Sequence, residues 1–373
     1  MLALAPTELF TGDGIVTDVT VRVDGGRVAE IAAGVSGDAV KLDGLLAPGF
    51  IDVQVNGGGG ALFNDSQTVE TLAVIARAHQ RFGVTGFMAT LISDERDKAV
   101  RAIAAVDEAI RAGVDGVLGL HLEGPWLSEP RRGVHPAKFL RELDAEDLKV
   151  LTRRQPFPLM VTVAPEQIGP STIKALTEAG VIVSLGHTAA AAEDVERAVD
   201  AGATGFTHLF NAMPPLEGRN PGPLGVALGR RDCWAGLILD GIHVHPASAR
   251  AALAAKTTDR LVLVSDAMAT IGAAQSSMAL FGETIAVRDG ALRTANGTLA
   301  GAHLELSGAV RNAISMLNAS REDALRMASA TPANFMKVGN ERGRIVRGHR
   351  ADFVLLDSDM NATATWIAGH QVH

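Results

Sequence analysis

Residues 50–55 read FIDVQV, a short apolar run typical of a strand buried inside a parallel sheet. Seven similar runs follow it, separated by segments with helical patterns, and this alternation is the signature of βα units. The eight runs are FIDVQV (50–55), TGFMAT (85–90), GVLGLH (116–121), LMVTVA (159–164), VIVSLG (181–186), ATGFTH (203–208), AGLILD (235–240) and LVLVSD (261–266). Eight such units close a (β/α)8 barrel, so the sequence predicts an α/β fold with a TIM-like barrel.

The segments between the runs support this prediction. Apolar residues recur at helical spacing in 69–81 and 95–112, and the helical segment 188–200 follows a threonine cap. Segment 210–233 is dense in proline and glycine. It predicts a long functional loop followed by a short helix.

Both ends of the chain have a strand-and-turn texture instead. Residues 15–31 alternate apolar and polar side chains around an Asp-Gly-Gly turn, and 344–373 contains similar short runs. We therefore predict two domains: a small β-sandwich domain from residues 1–46 and 341–373, and a catalytic barrel from residues 47–340. Residues 284–294 predict a further β-hairpin, which interrupts the alternation of strands and helices. The sequence pattern does not decide to which domain this hairpin belongs.

Composition narrows the class of partner. A net charge of −8 argues against nucleic acids and anionic membranes, which attract clustered Lys and Arg. The single cysteine, Cys233, cannot form an internal disulfide, and the first residues lack the basic region of a signal peptide. We expect a cytoplasmic protein that acts on a small molecule and binds neither nucleic acid nor membrane.

Polar side chains capable of hydrolytic chemistry fall at the ends of several runs. Two histidines, His187 and His208, and one carboxylate, Glu123, are the ligand set of a catalytic zinc site with an open position for water. Asp266 ends the eighth run, where it could take a proton from water and return it to a leaving amine. Each residue alone could equally be a hydrogen-bonded barrel residue or a helix cap. Their coincidence at the strand ends of one barrel favours metal-assisted hydrolysis.

Further polar residues accompany this set. His121 lies two residues before Glu123, so both point the same way on an extended strand, and His121 is either an extra ligand or a supporting partner. Gln54 and Asn56 share the same spacing at the end of the first run. As neutral amides they are weak metal ligands.

Five motifs carry a family resemblance: PGFIDVQVNGGGG (48–60), HLEGPWL (121–127), GHT (186–188), THLFNAM (207–213) and VSDAM (264–268). In this order they resemble the N-acetylglucosamine-6-phosphate deacetylase family of the amidohydrolase superfamily. The resemblance implies a distorted (β/α)8 barrel beside a small β domain. It also implies hydrolysis of the acetamide of N-acetyl-D-glucosamine 6-phosphate to D-glucosamine 6-phosphate and acetate, in amino-sugar catabolism or cell-wall recycling.

The same resemblance implies how the metal is held. Most members of the superfamily carry a His-x-His pair where this chain has Gln54 and Asn56. One divalent metal per subunit is therefore expected, with Glu123, His187 and His208 as ligands and Gln54 in contact through water. Zinc is the expected ion, and the donor set also accepts iron, cobalt or manganese.

Substrate contacts follow from the resemblance as well. His135 is expected to donate to the acetyl carbonyl oxygen, while Asn211, the Ala212 backbone, Arg219 and His243 bind the sugar phosphate. Arg219 is expected to reach across from a neighbouring subunit, which implies a homodimer. Taken alone, His135 could be a surface-loop histidine and Arg219 a solvated charge.

The metal residues do not encode the substrate's configuration. N-acetylgalactosamine 6-phosphate or an N-acyl amino acid is therefore an alternative substrate. A barrel that binds a sugar phosphate without catalysis is a third hypothesis, against which the complete set of ligands and the strand-end aspartate speak.

Overall fold

The computed structural model describes residues 2–373 and consists of strands and helices in the alternation that the sequence predicts. The strands are β1 (Leu2–Phe10), β2 (Ile15–Val16), β3 (Val19–Asp24), β4 (Arg27–Ala33), β5 (Val40–Pro48), β6 (Phe50–Val55), β7 (Gly57–Gly58), β8 (Ala61–Leu62), β9 (Val84–Ile92), β10 (Val117–Glu123), β11 (Leu159–Val163), β12 (Ile182–Leu185), β13 (Gly205–Phe206), β14 (Trp234–Ile238), β15 (Leu261–Val264), β16 (Ser277–Leu280), β17 (Glu283–Arg288), β18 (Ala291–Arg293), β19 (Phe353–Leu356), β20 (Ala362–Ile367) and β21 (His370–Gln371).

The helices fill most of the intervals between the barrel strands. The α-helices are α1 (Val69–Gln80), α2 (Arg96–Arg111), α3 (Ala145–Leu151), α4 (Pro165–Glu178), α5 (Ala192–Asp200), α6 (Gly222–Gly229), α7 (Pro246–Lys256), α8 (Leu306–Leu317), α9 (Arg321–Ala328) and α10 (Ala330–Phe335). Two short 3₁₀ helices, Glu129–Arg131 and Ala137–Phe139, lie in the loop after β10. Within residues 2–373, no helix has both the length and the apolar character needed to span a bilayer.

The barrel contains all eight predicted runs. Strands β6 and β9 to β15 pair in parallel and in chain order, and the first four are buried at every position, as both faces of such a sheet are covered. The ring is completed beyond β15, where the backbone N–H groups of Asn56 and Gly57 donate to the Ala267 carbonyl at 2.9 and 3.0 Å. This closure brings the ends of the first and eighth runs side by side.

The structure contains the predicted loop and helices, with one difference at the start of a helix. Helices α1 and α2 confirm two predicted segments, and α6 is the short helix expected after the Pro/Gly-rich loop. The expected threonine cap of the segment 188–200 was wrong, since α5 begins only at Ala192. The Thr188 hydroxyl instead donates to Glu166 Oε2 at 2.5 Å and accepts from Ala190 N, which holds it in the loop.

Both chain ends contribute to one further sheet, with β1 to β5 joined to β19, β20 and β21. Strand β5 pairs in parallel with β1 and antiparallel with β19, so it joins the N-terminal and C-terminal strands into one sheet. The sheet has a core of its own, which includes Leu4, Val21, Leu46, Phe353 and Trp366. The predicted fold class is confirmed, while the domain limits at 46 and 341 stay a prediction.

The hairpin predicted at 284–294 consists of β17 and β18, and β16 adds a third antiparallel strand. Its apolar side chains Leu280, Ile285 and Leu292 pack with Leu62 and Met268, which follow the first and eighth barrel strands. The three-stranded sheet therefore lies beside the mouth of the barrel rather than in the terminal sheet.

Gly49 joins the two main sheets, between the end of β5 and the start of β6. A Cβ atom at this position would lie 2.2 Å from both Cγ2 and Oγ1 of Thr85. Thr85 belongs to β9, the strand that pairs with β6 in the barrel. The two sheets can therefore approach this closely only because residue 49 has no side chain.

We predict that Gly49→Ala destabilises the protein by about 1–3 kcal/mol, the usual cost of forcing an extra group into a packed interior. Gly37→Ala is the matched control, because nothing lies within 4 Å of its added Cβ. Thermal and urea unfolding of both variants test the difference. Equal stability of the two variants would contradict the packing argument.

Candidate functional site

The carboxylate and the two histidines that the sequence singles out meet at the mouth of the barrel. Glu123 ends β10, while His187 and His208 each lie two residues beyond a strand, β12 and β13. His187 Nε2 lies 3.1 Å and His208 Nε2 3.0 Å from Glu123 Oε1, and the two ring nitrogens are 2.9 Å apart. All three side chains are buried. Three lone-pair atoms thus converge on one point.

The hydrogen bond on the far side of the His187 ring fixes its tautomer. His187 Nδ1 donates to the Arg131 carbonyl at 2.8 Å, so a neutral ring has its lone pair on Nε2, the atom that faces Glu123. His208 Nδ1 is buried without a hydrogen-bond partner in residues 2–373. The imidazole orientation is that of a metal ligand.

The spacing of the three atoms also suits a metal. Tetrahedral coordination at about 2.0–2.1 Å separates neighbouring ligand atoms by roughly 3.3 Å. The observed separations of 2.9 to 3.1 Å come close to this value. The donor set of one carboxylate and two imidazoles therefore fits a divalent ion, and the chain contains a possible metal site.

Backbone conformation separates these positions from ordinary strand residues. His187, His208 and Asp266 have φ values of 48°, 30° and 49°, in the left-handed region that non-glycine residues rarely adopt. Each of the three lies two residues after its barrel strand. Such strain concentrates at functional sites, where the surrounding fold holds a side chain in an unfavourable but useful position.

Two amides donate hydrogen bonds to the carboxylates of the site, and one of them links Glu123 to Asp266. Gln54 Nε2 donates to Glu123 Oε1 at 3.2 Å and to Asp266 Oδ1 at 3.1 Å, and Asn56 Nδ2 donates to the same Asp266 oxygen at 2.7 Å. Gln54 thus holds Asp266 close to Glu123, and Asn56 adds a second donor to Asp266.

The two carboxylates differ in their electrostatic surroundings. Burial, with the negative charge of Glu123 nearby, raises the pKa of Asp266 to about 7. Burial also acts to raise the pKa of Glu123, but the two imidazoles beside its Oε1, His187 and His208, outweigh it and hold that pKa well below its usual range. Glu123 is the permanent anion, and Asp266 is the group that can exchange a proton.

Asp52 is hydrogen-bonded to the backbone next to Asp266 and to that of Gln54. Its Oδ1 accepts from the backbone N–H groups of Gln54 at 3.2 Å and Ser265 at 3.3 Å, and so bridges the first and eighth strands just before Asp266. The carboxylate is fully buried, and this burial raises its pKa to about 6.

His135 lies on the loop after β10 and is buried beside the cluster. Its Nδ1 accepts from the Ser93 backbone N–H at 3.2 Å, and the Ser93 hydroxyl lies 2.8 Å away, so a neutral ring has its proton on Nε2. Burial and the neighbouring His187 lower the pKa of His135 to about 3. The ring is therefore a neutral donor at physiological pH.

The ligand-type atoms allow a second grouping. One atom from each of Glu123, His135 and His187 also lies within 4.8 Å of the others. The grouping with His208 is tighter, at 2.9–3.1 Å, and the His135 Nδ1 lone pair is already used by Ser93. His121 turns away from both groupings: its Nε2 lies 2.7 Å from Thr162 Oγ1.

A cavity of about 270 Å³ opens above the cluster. Of the residues predicted for metal, catalysis or substrate, it is lined by Glu123, His135, His187, His208, Asn211, Ala212, His243 and Asp266. Gln54 lies behind the two carboxylates. Arg219 is exposed on the Pro/Gly-rich loop and does not line this cavity. The structure thus brings together every predicted site residue except Arg219.

Three contributors to the site were missed from the sequence. Ser93 and the Arg131 carbonyl orient His135 and His187, and a loop serine or a backbone oxygen has no sequence signal for that role. Asp240 bonds to His243 Nδ1 at 2.6 Å. It was detectable, because it is the last residue of the run AGLILD and lies three positions before His243.

Several proteins with similar sequences and structures are named as deacetylases. The chain is 40% identical over its whole length to 96% of an N-acetylgalactosamine-6-phosphate deacetylase from Shewanella sp. (strain ANA-3). It is 31% identical to the N-acetylglucosamine-6-phosphate deacetylase of Haemophilus influenzae, with 98% of each chain covered. The crystal structure of N-acetylglucosamine-6-phosphate deacetylase from Pasteurella multocida superposes with a TM-score of 0.95 at 32% identity, covering 99% of both chains.

A wider comparison agrees with these relatives. The model of the amidohydrolase family matches residues 45–372, which include the whole barrel and the C-terminal strands. The strand-end cluster and the closed barrel lie within the matched residues. The terminal sheet lies partly within them, since β1 to β4 precede residue 45. The chain belongs to the amidohydrolase family.

Proposed function

We propose that this protein is a metal-dependent deacetylase that hydrolyses N-acetyl-D-glucosamine 6-phosphate to D-glucosamine 6-phosphate and acetate. The observation that carries the proposal is the convergence of Glu123 Oε1, His187 Nε2 and His208 Nε2 within 3.1 Å, beside Asp266. Relatives that cover nearly the whole chain carry this activity in their names. Amino-sugar catabolism and cell-wall recycling in the cytoplasm stay predictions.

Glu123, His187 and His208 are proposed to hold one divalent metal per subunit, with zinc the expected ion. When bound, such a metal supplies a nucleophilic water at neutral pH and polarises the substrate carbonyl. Gln54 directs its NH₂ group at Glu123 and Asp266, and it is proposed to contact the metal through water, as the family resemblance implies. Asn56 likewise points its NH₂ group at Asp266. Because residues 54 and 56 are Gln and Asn, neither offers an imidazole to a second metal.

Asp266 is proposed to accept the proton of the attacking water and to return it to the departing amine. The raised pKa suits both steps, because a group that titrates near the working pH can act as base and then as acid. Gln54 and Asn56 fix one carboxylate oxygen by hydrogen bonds, so the other oxygen is free to exchange the proton.

His135 is proposed to donate from Nε2 to the acetyl carbonyl oxygen. Negative charge develops on that oxygen as the tetrahedral intermediate forms, and a donor fixed in advance stabilises it most. Ser93 fixes the tautomer that makes this possible. Asn211, the Ala212 backbone and His243, which line the same cavity, are proposed to bind the sugar phosphate.

Arg219 is proposed to reach the phosphate of a neighbouring subunit's substrate in a homodimer. Its exposure and its place outside its own subunit's cavity are compatible with that role. A planar guanidinium suits a phosphate because it can bond two oxygens at once. The homodimer stays a prediction.

N-acetylgalactosamine 6-phosphate is the second candidate substrate. It is favoured by one observation: the relative with 40% identity over the whole chain is named for deacetylation of that sugar. The two sugars differ in the configuration of one ring hydroxyl. The acetamide chemistry proposed for Glu123, Asp266 and His135 is the same for both.

The substrate is tested by the ratio of kcat/KM values for the two sugar phosphates, measured as acetate release from zinc-loaded protein. We expect faster turnover of the gluco sugar. A higher kcat/KM for the galacto sugar would transfer the assignment to the second candidate. Failure with both, while N-acyl amino acids are hydrolysed, would contradict both.

Asp266→Asn is expected to lower kcat by roughly 10²–10⁴-fold, the typical contribution of a general acid–base group. The same change should stabilise the metal-free protein at pH 8. A carboxyl whose folded pKa is raised to about 7 stabilises the fold fully only below its unfolded pKa, and this stability is lost as pH rises through 7.

Unfolding of metal-free wild type and Asp266→Asn at pH 4 and pH 8 measures this effect. The advantage of the variant at pH 8 should be on the order of a few kcal/mol and should shrink at pH 4. A variant with full turnover would contradict the proposed role. Unchanged stability at both pH values would contradict the electrostatic argument.

A further inference from the structure

Asp240 and His243 form a closed unit at the end of strand β14. Asp240 Oδ1 accepts from the backbone N–H groups of Ile242 at 2.8 Å and His243 at 2.7 Å. Its Oδ2 accepts from His243 Nδ1 at 2.6 Å. Both side chains are nearly inaccessible, with 8% and 5% exposure. One carboxylate therefore fixes both the turn and the imidazole that it carries.

The bond to Nδ1 decides what the ring offers to the cavity. Because Nδ1–H donates to Asp240, Nε2 is the atom left for a ligand, and it has no hydrogen-bond partner in residues 2–373. Phosphate oxygens are acceptors, so Nε2 can bind them only when it carries a proton as well. A ring protonated at both nitrogens is a cation, and the carboxylate behind it stabilises that charge.

We propose that Asp240 is a positioning residue for phosphate recognition, which holds His243 as a cationic donor between its own carboxylate and the phosphate of the substrate. This inference rests on the proposed function and deepens it. A cationic donor helps here because the cavity is lined by two carboxylates, Glu123 and Asp266, while Arg131 is the one arginine or lysine among its lining residues. A neutral histidine would supply a hydrogen bond without the charge.

The Asp240–His243 pair is buried, unlike the side chains of an ordinary surface turn. Burial alone would raise the pKa of Asp240, but the hydrogen bond and charge of His243 outweigh it, and the pKa is lowered. Asp240 is thus an anion that accepts from His243 Nδ1 at 2.6 Å. The other predicted sugar-phosphate contacts in the subunit, Asn211 and the Ala212 backbone, are neutral, so His243 is the ionisable group among them.

Asp240→Asn separates the turn from the charge. The asparagine Oδ1 can still accept from the two backbone N–H groups, but its NH₂ group would face Nδ1 and favour the tautomer with a proton on Nε2 alone. The ring then keeps a donor and loses its positive charge. Asp359→Asn, an exposed carboxylate near the C-terminal strands, is the matched control.

The test compares both variants with wild-type, zinc-loaded protein on N-acetylglucosamine 6-phosphate and on unphosphorylated N-acetylglucosamine. Asp240→Asn should raise KM for the phosphorylated sugar about tenfold or more, as expected for loss of a charge-assisted bond, with kcat nearly unchanged. KM for the unphosphorylated sugar should not change, and inhibition by inorganic phosphate should weaken in parallel. An equal loss on both sugars, or no loss on either, would overturn the proposal.

A second measurement does not depend on turnover. Ring ¹⁵N spectra of wild-type protein, with His243 assigned by difference from His243→Gln, should show Nδ1 protonated, and both nitrogens protonated after addition of inorganic phosphate. An unprotonated Nδ1, or a ring that stays neutral with phosphate bound, would overturn the inference even if Asp240→Asn fails to fold. Wild-type protein that binds phosphate in this way but hydrolyses no amino-sugar phosphate would contradict only the proposed function.

Discussion

A single buried oxygen organises this molecule's active end. Glu123 Oε1 lies within hydrogen-bond distance of His187 Nε2, His208 Nε2 and Gln54 Nε2, and with Glu123 these residues come from four different strand ends. A buried carboxylate is costly unless it is paired, and here every neighbour either donates to it or could share a cation with it. The barrel must close accurately for these strand ends to meet, so the fold and the site depend on the same constraint.

The remainder of the site follows from that charge. Glu123 helps to keep Asp266 at a pKa of about 7, and Gln54 holds the two carboxylates at a fixed distance. His187, His208 and Asp266 keep left-handed φ values, a cost that persists only where the surrounding structure holds a residue in place. The strained backbone and the buried Asp266 lower the stability of the fold at the site, and they provide a carboxylate that can exchange a proton.

Much of the fold could be predicted because it rests on local patterns. Eight apolar runs of about six residues sufficed to predict the barrel, and alternation at both chain ends indicated the second sheet. The threonine cap before α5 was wrong because Thr188 has a tertiary partner, Glu166, which no local pattern reveals. The third strand of the small sheet, β16, was missed because its alternation is short and partly exposed.

The site could be predicted to a similar extent, and for a related reason. Side chains at strand ends of a parallel barrel converge whatever their separation in the sequence, so Glu123, His187, His208 and Asp266 could be grouped in advance. The groups that orient them could not, since the Ser93 backbone N–H and the Arg131 carbonyl act through atoms that every residue has. Asp240 is the intermediate case, because its strand-end position and its spacing to His243 are visible in the sequence but were not used to predict the contact.

The metal ligands are tested most directly by a crystal structure of the zinc-loaded protein, with anomalous scattering measured at the zinc edge. The account predicts one zinc per subunit, bound by Glu123 Oε1, His187 Nε2 and His208 Nε2, with His135 unbound and still accepting from Ser93. Zinc held by His135 in place of His208, or no zinc at this cluster, would contradict it.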